Sequence, residues 1–142
     1  MSREHKYKAY INNPIHGTGI FKVKSINFNP LVVTVIIPNG KYIDDIELTD
    51  EVQFFEDEVK LLEYIGIKDC NEKEIYEGYI VKVTWANKRN SIDYIVKYTE
   101  DCGYYRLESV TDKFELDTFC GYDTDQLEVI GNIYQNLELL EN

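Results

Sequence analysis

From Tyr7 onward, apolar and polar residues alternate one by one in segment after segment. A period of two puts every second side chain on the same face of an extended strand, so this pattern restricts the chain to β structure. "HKYKAYI" sets Tyr7, Ala9 and Ile11 against Lys6, Lys8 and Tyr10, and "IFKVKSINF" sets Phe21 and Val23 against Lys22 and Lys24. "YIVKVTW" aligns Tyr79, Val81, Val83 and Trp85, and "SIDYIVKYT" aligns Ile92, Tyr94, Val96 and Tyr98. "GYYRLESV", "KFELDTF" and "QLEVIGNIY" continue the series, with the turn-forming "NNPIHGTG", "ANKRN", "EDCG" and "GYDTD" among the connections. The 12 tyrosines suit half-buried pleated surfaces. Short strands at regular spacing predict a small closed barrel over about residues 75–134.

Two segments break the alternation. "LVVTVIIP", Leu31 to Pro38, is apolar on both faces and reads as a buried central strand bounded by "NP" and "PNG", or else as an edge for self-association. "TDEVQFFEDEV" fits either a short helix capped by Thr49 or Asp50, with Val52, Phe55 and Val59 on one face, or an irregular strand. The 142 residues suffice for two small subdomains. The change from long apolar strands to short ones divides them into a β-rich part over 1–65 and a barrel part over 66–142.

The net charge of -11 is uneven, with -2 on residues 1–60 and -9 on residues 61–142. Nucleic acid calls for a basic stripe to neutralise phosphates, so direct binding to it is not expected. Cys70, Cys102 and Cys120 are odd in number and widely spaced, which disfavours a disulfide scaffold or a zinc site. "MSREHKYKAY" has no apolar core of a signal peptide, and no apolar run approaches the ~20 residues of a membrane span. These features predict a cytoplasmic protein that does not bind membranes.

Chemistry-bearing residues are sparse. His5 and His16 lack a local nucleophile or a second histidine at ligand spacing. Cys70 has Lys68 and Lys73 nearby but also Asp69, Glu72 and Glu74, a poor setting for a lowered thiol pKa. "IDDIE" and "DTDQLE" gather carboxylates without the order of a calcium loop, and "HGTG" lacks the continuation of a phosphate loop. "NKRN" is two cations at a hairpin tip. No cofactor, metal or catalytic set is expected. Aromatic side chains can form a peptide-binding shelf. The pool is Tyr79, Trp85, Tyr94, Tyr98, Tyr104 and Tyr105, with Tyr79, Trp85 and Tyr104 as the candidate binding residues.

Two stretches are more specific than any alternation: "YIGIKDCNEKEIYEGYIVKV", Tyr64 to Val83, and "EVIGNIYQNLELL", Glu128 to Leu140. They resemble the YopX family of phage and prophage proteins, in which the first reads Y-T-G-L-K-D-x-N-G-x-E-I-Y-E-G-D-I-V and the second E-V-I-G-N-I-Y-E-N-P-E-L-L. This chain departs at Ile65, Tyr79 and Leu137, and at Glu72, where Asn-Gly is usual. A left-handed Glu72 costs roughly 1–2 kcal/mol relative to glycine, so a different turn type is possible there. The resemblance implies a mainly β fold whose C-terminal part is a small Src-homology-3-like barrel. It implies no established activity and no catalytic residues. Gly66, Ile75, Gly78, Ile80 and Gly131 are read as structural, with Gly78 at the bend into the first barrel strand.

The expected function is that of a phage- or prophage-encoded accessory protein in the bacterial host cytoplasm. It would be a non-catalytic interaction module with a protein partner, either another protein or a second copy of itself in a homo-oligomer. The alternative is an acidic mimic of nucleic acid that inhibits a host enzyme.

Overall fold

The computed structural model describes residues 6–85, 90–99, 103–110, 116–117, 119 and 122–140. The protein is mainly β, and the helical pieces among the described residues are three single 3₁₀ turns. Two compact units divide between Leu62 and Glu63.

The first unit is built on β1 (Tyr7–Asn13), β2 (Gly17–Asn27), β3 (Val32–Ile43) and β4 (Ile46–Phe55), antiparallel in the order β4-β3-β2-β1, with the start of β5 (Val59–Lys68) as the next strand beside β1. The predicted inner face of β1 is correct, with Ala9 and Ile11 fully buried. They join Val33, Val35, Ile37 and Phe54 in one core. β3 is central and paired on both edges, so the self-association edge offered as its alternative does not exist. The strand also runs past "PNG" to Ile43. Asn39 makes this possible: its Oδ1 accepts the Lys41 N–H at 2.9 Å, and its Nδ2 donates to Asp50 Oδ1 on β4 at 3.1 Å. The "IDDIE" carboxylates form a tight hairpin, with Asp44 and Asp45 both at positive φ between the Ile43–Ile46 pair. "TDEVQFFEDEV" resolves as strand rather than helix. β4 carries it to Phe55, and a 3₁₀ turn over Glu56–Glu58 follows.

β5 (Val59–Lys68) leads from the first unit into the second. There its end pairs with β6 (Glu74–Tyr76). A five-stranded antiparallel sheet follows, in the order β10-β9-β8-β7-β11, built from β7 (Tyr79–Thr84), β8 (Ser91–Thr99), β9 (Tyr104–Ser109), β10 (Leu116–Asp117) and β11 (Leu127–Asn132). Val81, Val83, Tyr94, Val96, Leu107 and Leu127 form its core with Ile65 and Ile75. β7 is buried on both faces, because Ile80, opposite Ile95, is as inaccessible as Val81. Burying such a side chain is worth about 1.5–3 kcal/mol.

Among the described residues this sheet does not close strand-to-strand into a barrel. A turn takes the place of the missing strand along β11. The Cys70 N–H donates to the Leu127 carbonyl at 2.8 Å, and the Val129 N–H donates to Asp69 Oδ2 at 2.9 Å. Asp69 is 1% exposed, and its Oδ1 also accepts the N–H groups of Asn71 and Lys73, each at 2.9 Å. This answers the question raised by Glu72. The residue does adopt a left-handed φ of 62°, the conformation that Asn-Gly would supply, and the Asp69 carboxylate holds the turn that requires it.

The second family-like stretch meets the first along this line. Gly78 donates to the Val96 carbonyl and accepts from the Ile133 N–H, both at 2.9 Å. Its φ is 87°, and a Cβ there would lie 3.0 Å from the Tyr134 ring. Gly131 follows a bulge in β11, where a Cβ would come within 2.7 Å of Asn136 Oδ1. The Asn132 side chain caps the N–H groups of Tyr134 and Gln135, and Asn136 caps that of Asn132. Gly66, at φ 92°, occupies the irregularity between β5 and β6, and Ile75 is fully buried.

Two outcomes follow. Burial pushes the Asp69 carboxyl up, but the N–H donors of Val129, Lys73 and Asn71, with the Lys73 charge, outweigh it and hold the pKa below 3.8. A depressed folded pKa contributes stability that is present above pH 3.8 and lost as pH falls through the folded value. Asp69→Asn, which turns one acceptor into a donor, should cost about 2–4 kcal/mol at neutral pH. In urea titrations across pH 2–7, the gap between variant and parent should narrow on acidification. Separately, Gly78→Ala should cost at least about 1 kcal/mol through its positive φ alone. In a thermal-melt double-mutant cycle, Tyr134→Ala should relieve the contact with the new Cβ but not the backbone penalty.

Candidate docking cleft

Past the end of the core, the inward faces of β8 and β9 continue as Tyr98 and Tyr105, directly opposite each other in the ladder. Their rings meet edge-to-face with centroids 5.1 Å apart. β5 faces them with Glu63, Ile65 and Ile67, every second residue along the strand. Between these walls lies a cleft of about 510 Å³, completed by Glu77, Gly103, Tyr104 and Phe119. Its apolar lining joins the core, because Ile65 belongs to it and Ile67 and Phe119 pack against it. Tyr98 and Tyr104 keep 45% and 43% of their surface exposed. The cleft is within the size range of small-ligand and peptide-side-chain pockets.

Two carboxylates sit in this wall. Glu63 Oε2 accepts the Tyr105 hydroxyl at 2.8 Å. The Glu77 N–H donates to the Glu63 carbonyl at 2.9 Å, which fastens the approach to Gly78 against β5.

The candidate binding aromatics separate. Tyr104 lines the cleft, together with Tyr98 and Tyr105 from the wider pool. Tyr79 is not at the surface: it is 5% exposed, with its ring 5.6 Å from that of Tyr76. Burial and the nearby Glu74 raise its hydroxyl pKa. Tyr94 is buried in the core. Trp85 is exposed but lies elsewhere in the unit, in a pocket of about 450 Å³ with Cys70, Asp123, Asp125 and Glu128. Sequence reasoning missed Glu63, Glu77 and Phe119 in the cleft, since no local spacing links β5 to β9. It also missed Asp69, although an Asp followed by a polar turn is the signal of a side chain bonding to backbone two residues on.

Cys70 is exposed. Desolvation, then the carboxylates of Asp69, Glu128 and Asp125, push its thiol pKa up, which is opposite to what a nucleophilic thiol requires. His16 lies with its ring 5.9 Å from that of Phe54. His5, Cys102, Cys120 and residues 87–89 of "NKRN" lie outside the described residues. Among the described residues, no group of three or more His, Cys, Asp or Glu is placed to hold a metal, and no helix is long and apolar enough to cross a membrane.

The family of the YopX protein matches residues 23–141. The chain belongs to the YopX family. The fold is shared with solved structures of low sequence identity. The YopX protein of Bacillus subtilis is 21% identical, with a TM-score of 0.58 over 96% of this chain and 98% of that one. The protein EF1440 of Enterococcus faecalis is 22% identical, with a TM-score of 0.64 over 99% of this chain and 100% of that one. No curated protein matches it. Within this YopX-family chain the two specific stretches serve each other, through Asp69–Val129 and Gly78–Ile133. The cleft shares Ile65, Ile67 and Glu77 with the first of them.

Proposed function

We propose that this YopX-family chain is a non-catalytic docking module that engages a protein partner through the tyrosine cleft. The observation that carries the reading is the half-exposed Tyr98 ring, set edge-to-face on Tyr105 in a cleft that Ile65, Ile67, Tyr104 and Phe119 also line. Rigid aromatic side chains lose little conformational freedom on binding, and such rings commonly anchor interfaces. The family resemblance supports a phage or prophage origin and a bacterial cytoplasmic setting.

Self-association through strand edges is less well supported. The outer strand β4 carries Asp50 and Glu51 at its exposed middle, and antiparallel pairing of two copies about that point would set like charges opposite one another. The acidic-mimic reading loses several carboxylates to local work. Asp69 is buried in its turn, Glu63 holds Tyr105, Glu74 holds Tyr76, and Glu108 pairs with Lys97 at 2.6 Å.

The test is to place a photo-crosslinking aromatic at position 104 in cells of the host bacterium. A discrete adduct is expected that fades when Tyr98→Ala is added and is absent when the probe replaces the exposed Phe28. Tyr98→Ala should weaken partner binding by about 1–2 kcal/mol and, through the lost ring contact with Tyr105, lower stability by only about 1 kcal/mol, leaving the protein folded. Equal labelling from positions 104 and 28 would overturn the reading. So would a hydrolytic activity abolished by both Glu63→Gln and Glu77→Gln.

A further inference from the structure

β4 is the outermost strand of its sheet, and its pairing partner among the described residues is β3 alone. Three features show which of its backbone groups face outward. Ile46 closes the tight turn opposite Ile43, so its N–H and C=O point at β3. Pro38, which has no N–H to give, stands opposite Thr49, so Thr49 is a position whose backbone points away from β3. The Phe55 N–H donates to Glu58 Oε1 at 3.0 Å, outside the ladder. Strand periodicity joins these into one rule. The even-numbered residues of β4 bond β3, while Glu47, Thr49, Glu51 and Gln53 turn their N–H and C=O groups to the open side. Those four residues are exposed. Open edges of this length are usually guarded by a proline, a lysine or a bulge. β4 contains neither Pro nor Lys, the extra residues at its register shift belong to β3, and the Glu58 cap closes only the Phe55 end.

We propose that the β4 edge from Glu47 to Gln53 is a strand-addition site, which an extended segment of another protein joins as a further strand of the sheet. Backbone bonds to the four open positions hold the segment, and its alternate side chains meet the two faces of β4. Leu48 and Val52 are half-buried on the face that carries Phe54, so apolar residues of the segment extend the core there. On the other face Glu51 is already held by Lys24, whereas the Glu47 carboxylate has no bond among the described residues. The segment therefore carries a Lys or Arg opposite Glu47. A second β4 supplies no such cation, since the strand has neither Lys nor Arg, and its acidic middle repels this one. The site belongs to the N-terminal unit and does not depend on the tyrosine cleft.

Amide hydrogen exchange on the intact ¹⁵N-labelled protein tests this, with the capped peptide Arg-Val-Thr-Val-Thr-Val-Arg as the added strand. In the free protein the amides of Asp50, Val52 and Phe54 should exchange about tenfold or more slowly than those of Thr49, Glu51 and Gln53. The peptide should slow the second set about tenfold, and its counterpart with Glu at both ends should need about fivefold more peptide for the same protection. Thr49→Pro removes an open N–H but no bond to β3, so Asp50 and Val52 should stay slow while peptide binding weakens about tenfold. Thr49→Val should bind as the parent does. Equal exchange of the two sets in the free protein overturns the proposal, and this arm decides even where the proline variant fails to fold. So does a millimolar peptide that leaves Thr49, Glu51 and Gln53 fast. Equal binding to Thr49→Pro and Thr49→Val overturns strand addition in favour of side-chain contact. Equal protection by the Arg and Glu peptides overturns the cationic partner. Protection that rises with protein concentration in the absence of peptide overturns the foreign segment in favour of a second copy.

Discussion

A single buried carboxylate organises the C-terminal unit. Asp69 takes hydrogen bonds from two N–H groups of its own turn and from Val129, sixty residues along the chain. One oxygen of the carboxylate, Oδ1, therefore shapes a local bend, and the other, Oδ2, attaches it to β11. Without them the left-handed Glu72 would lack its hydrogen-bonded frame, the edge of β11 would lose its cover, and Gly78 would no longer be positioned under Tyr134. A buried carboxylate is costly unless its lone pairs are used, and here three backbone donors use them.

The most specific stretches of the sequence, Tyr64–Val83 and Glu128–Leu140, meet each other through the Asp69 carboxylate, the Gly78–Ile133 backbone bond and the approach of Tyr134 to Gly78. The cleft draws on Tyr98, Tyr104 and Phe119 outside those stretches, on Glu63 just before the first, and on Ile65, Ile67 and Glu77 within it.

Much of the fold was legible because burial follows period two. Ala9 and Ile11, Val81 and Val83, and Tyr94 and Val96 all point inward as their alternation requires. The pattern shows which face a residue takes but not where along the strand the core stops. Tyr98 shares a face with Val96 yet stands at the mouth, while Tyr79 shares a face with Val81 and is enclosed by Tyr76. Hence Tyr104 lines the cleft and Tyr79 is buried away from it. The extension of β3 beyond "PNG" was hidden because Asn39 imitates backbone with its side chain. The missing strand closure was hidden for a related reason: a turn, not a strand, covers β11.

The order in which the chain is made gives the Asp69 clamp another meaning. β7 and the Asp69 turn are synthesised early, but their partners on β11 and the Tyr134 cover come some fifty to sixty residues later. On the ribosome, strands β7 to β9 can pair as successive hairpins, whereas the clamp cannot form until the segment through Tyr134 has emerged. Contacts so distant in sequence slow the final step and leave the apolar β7 uncovered along one edge in the meantime. A nascent C-terminal unit is thus open to capture by chaperones, while the N-terminal unit, whose strands β1 to β4 pair in sequence and whose β1 is then flanked by β5, has all its sheet partners once Leu62 is made.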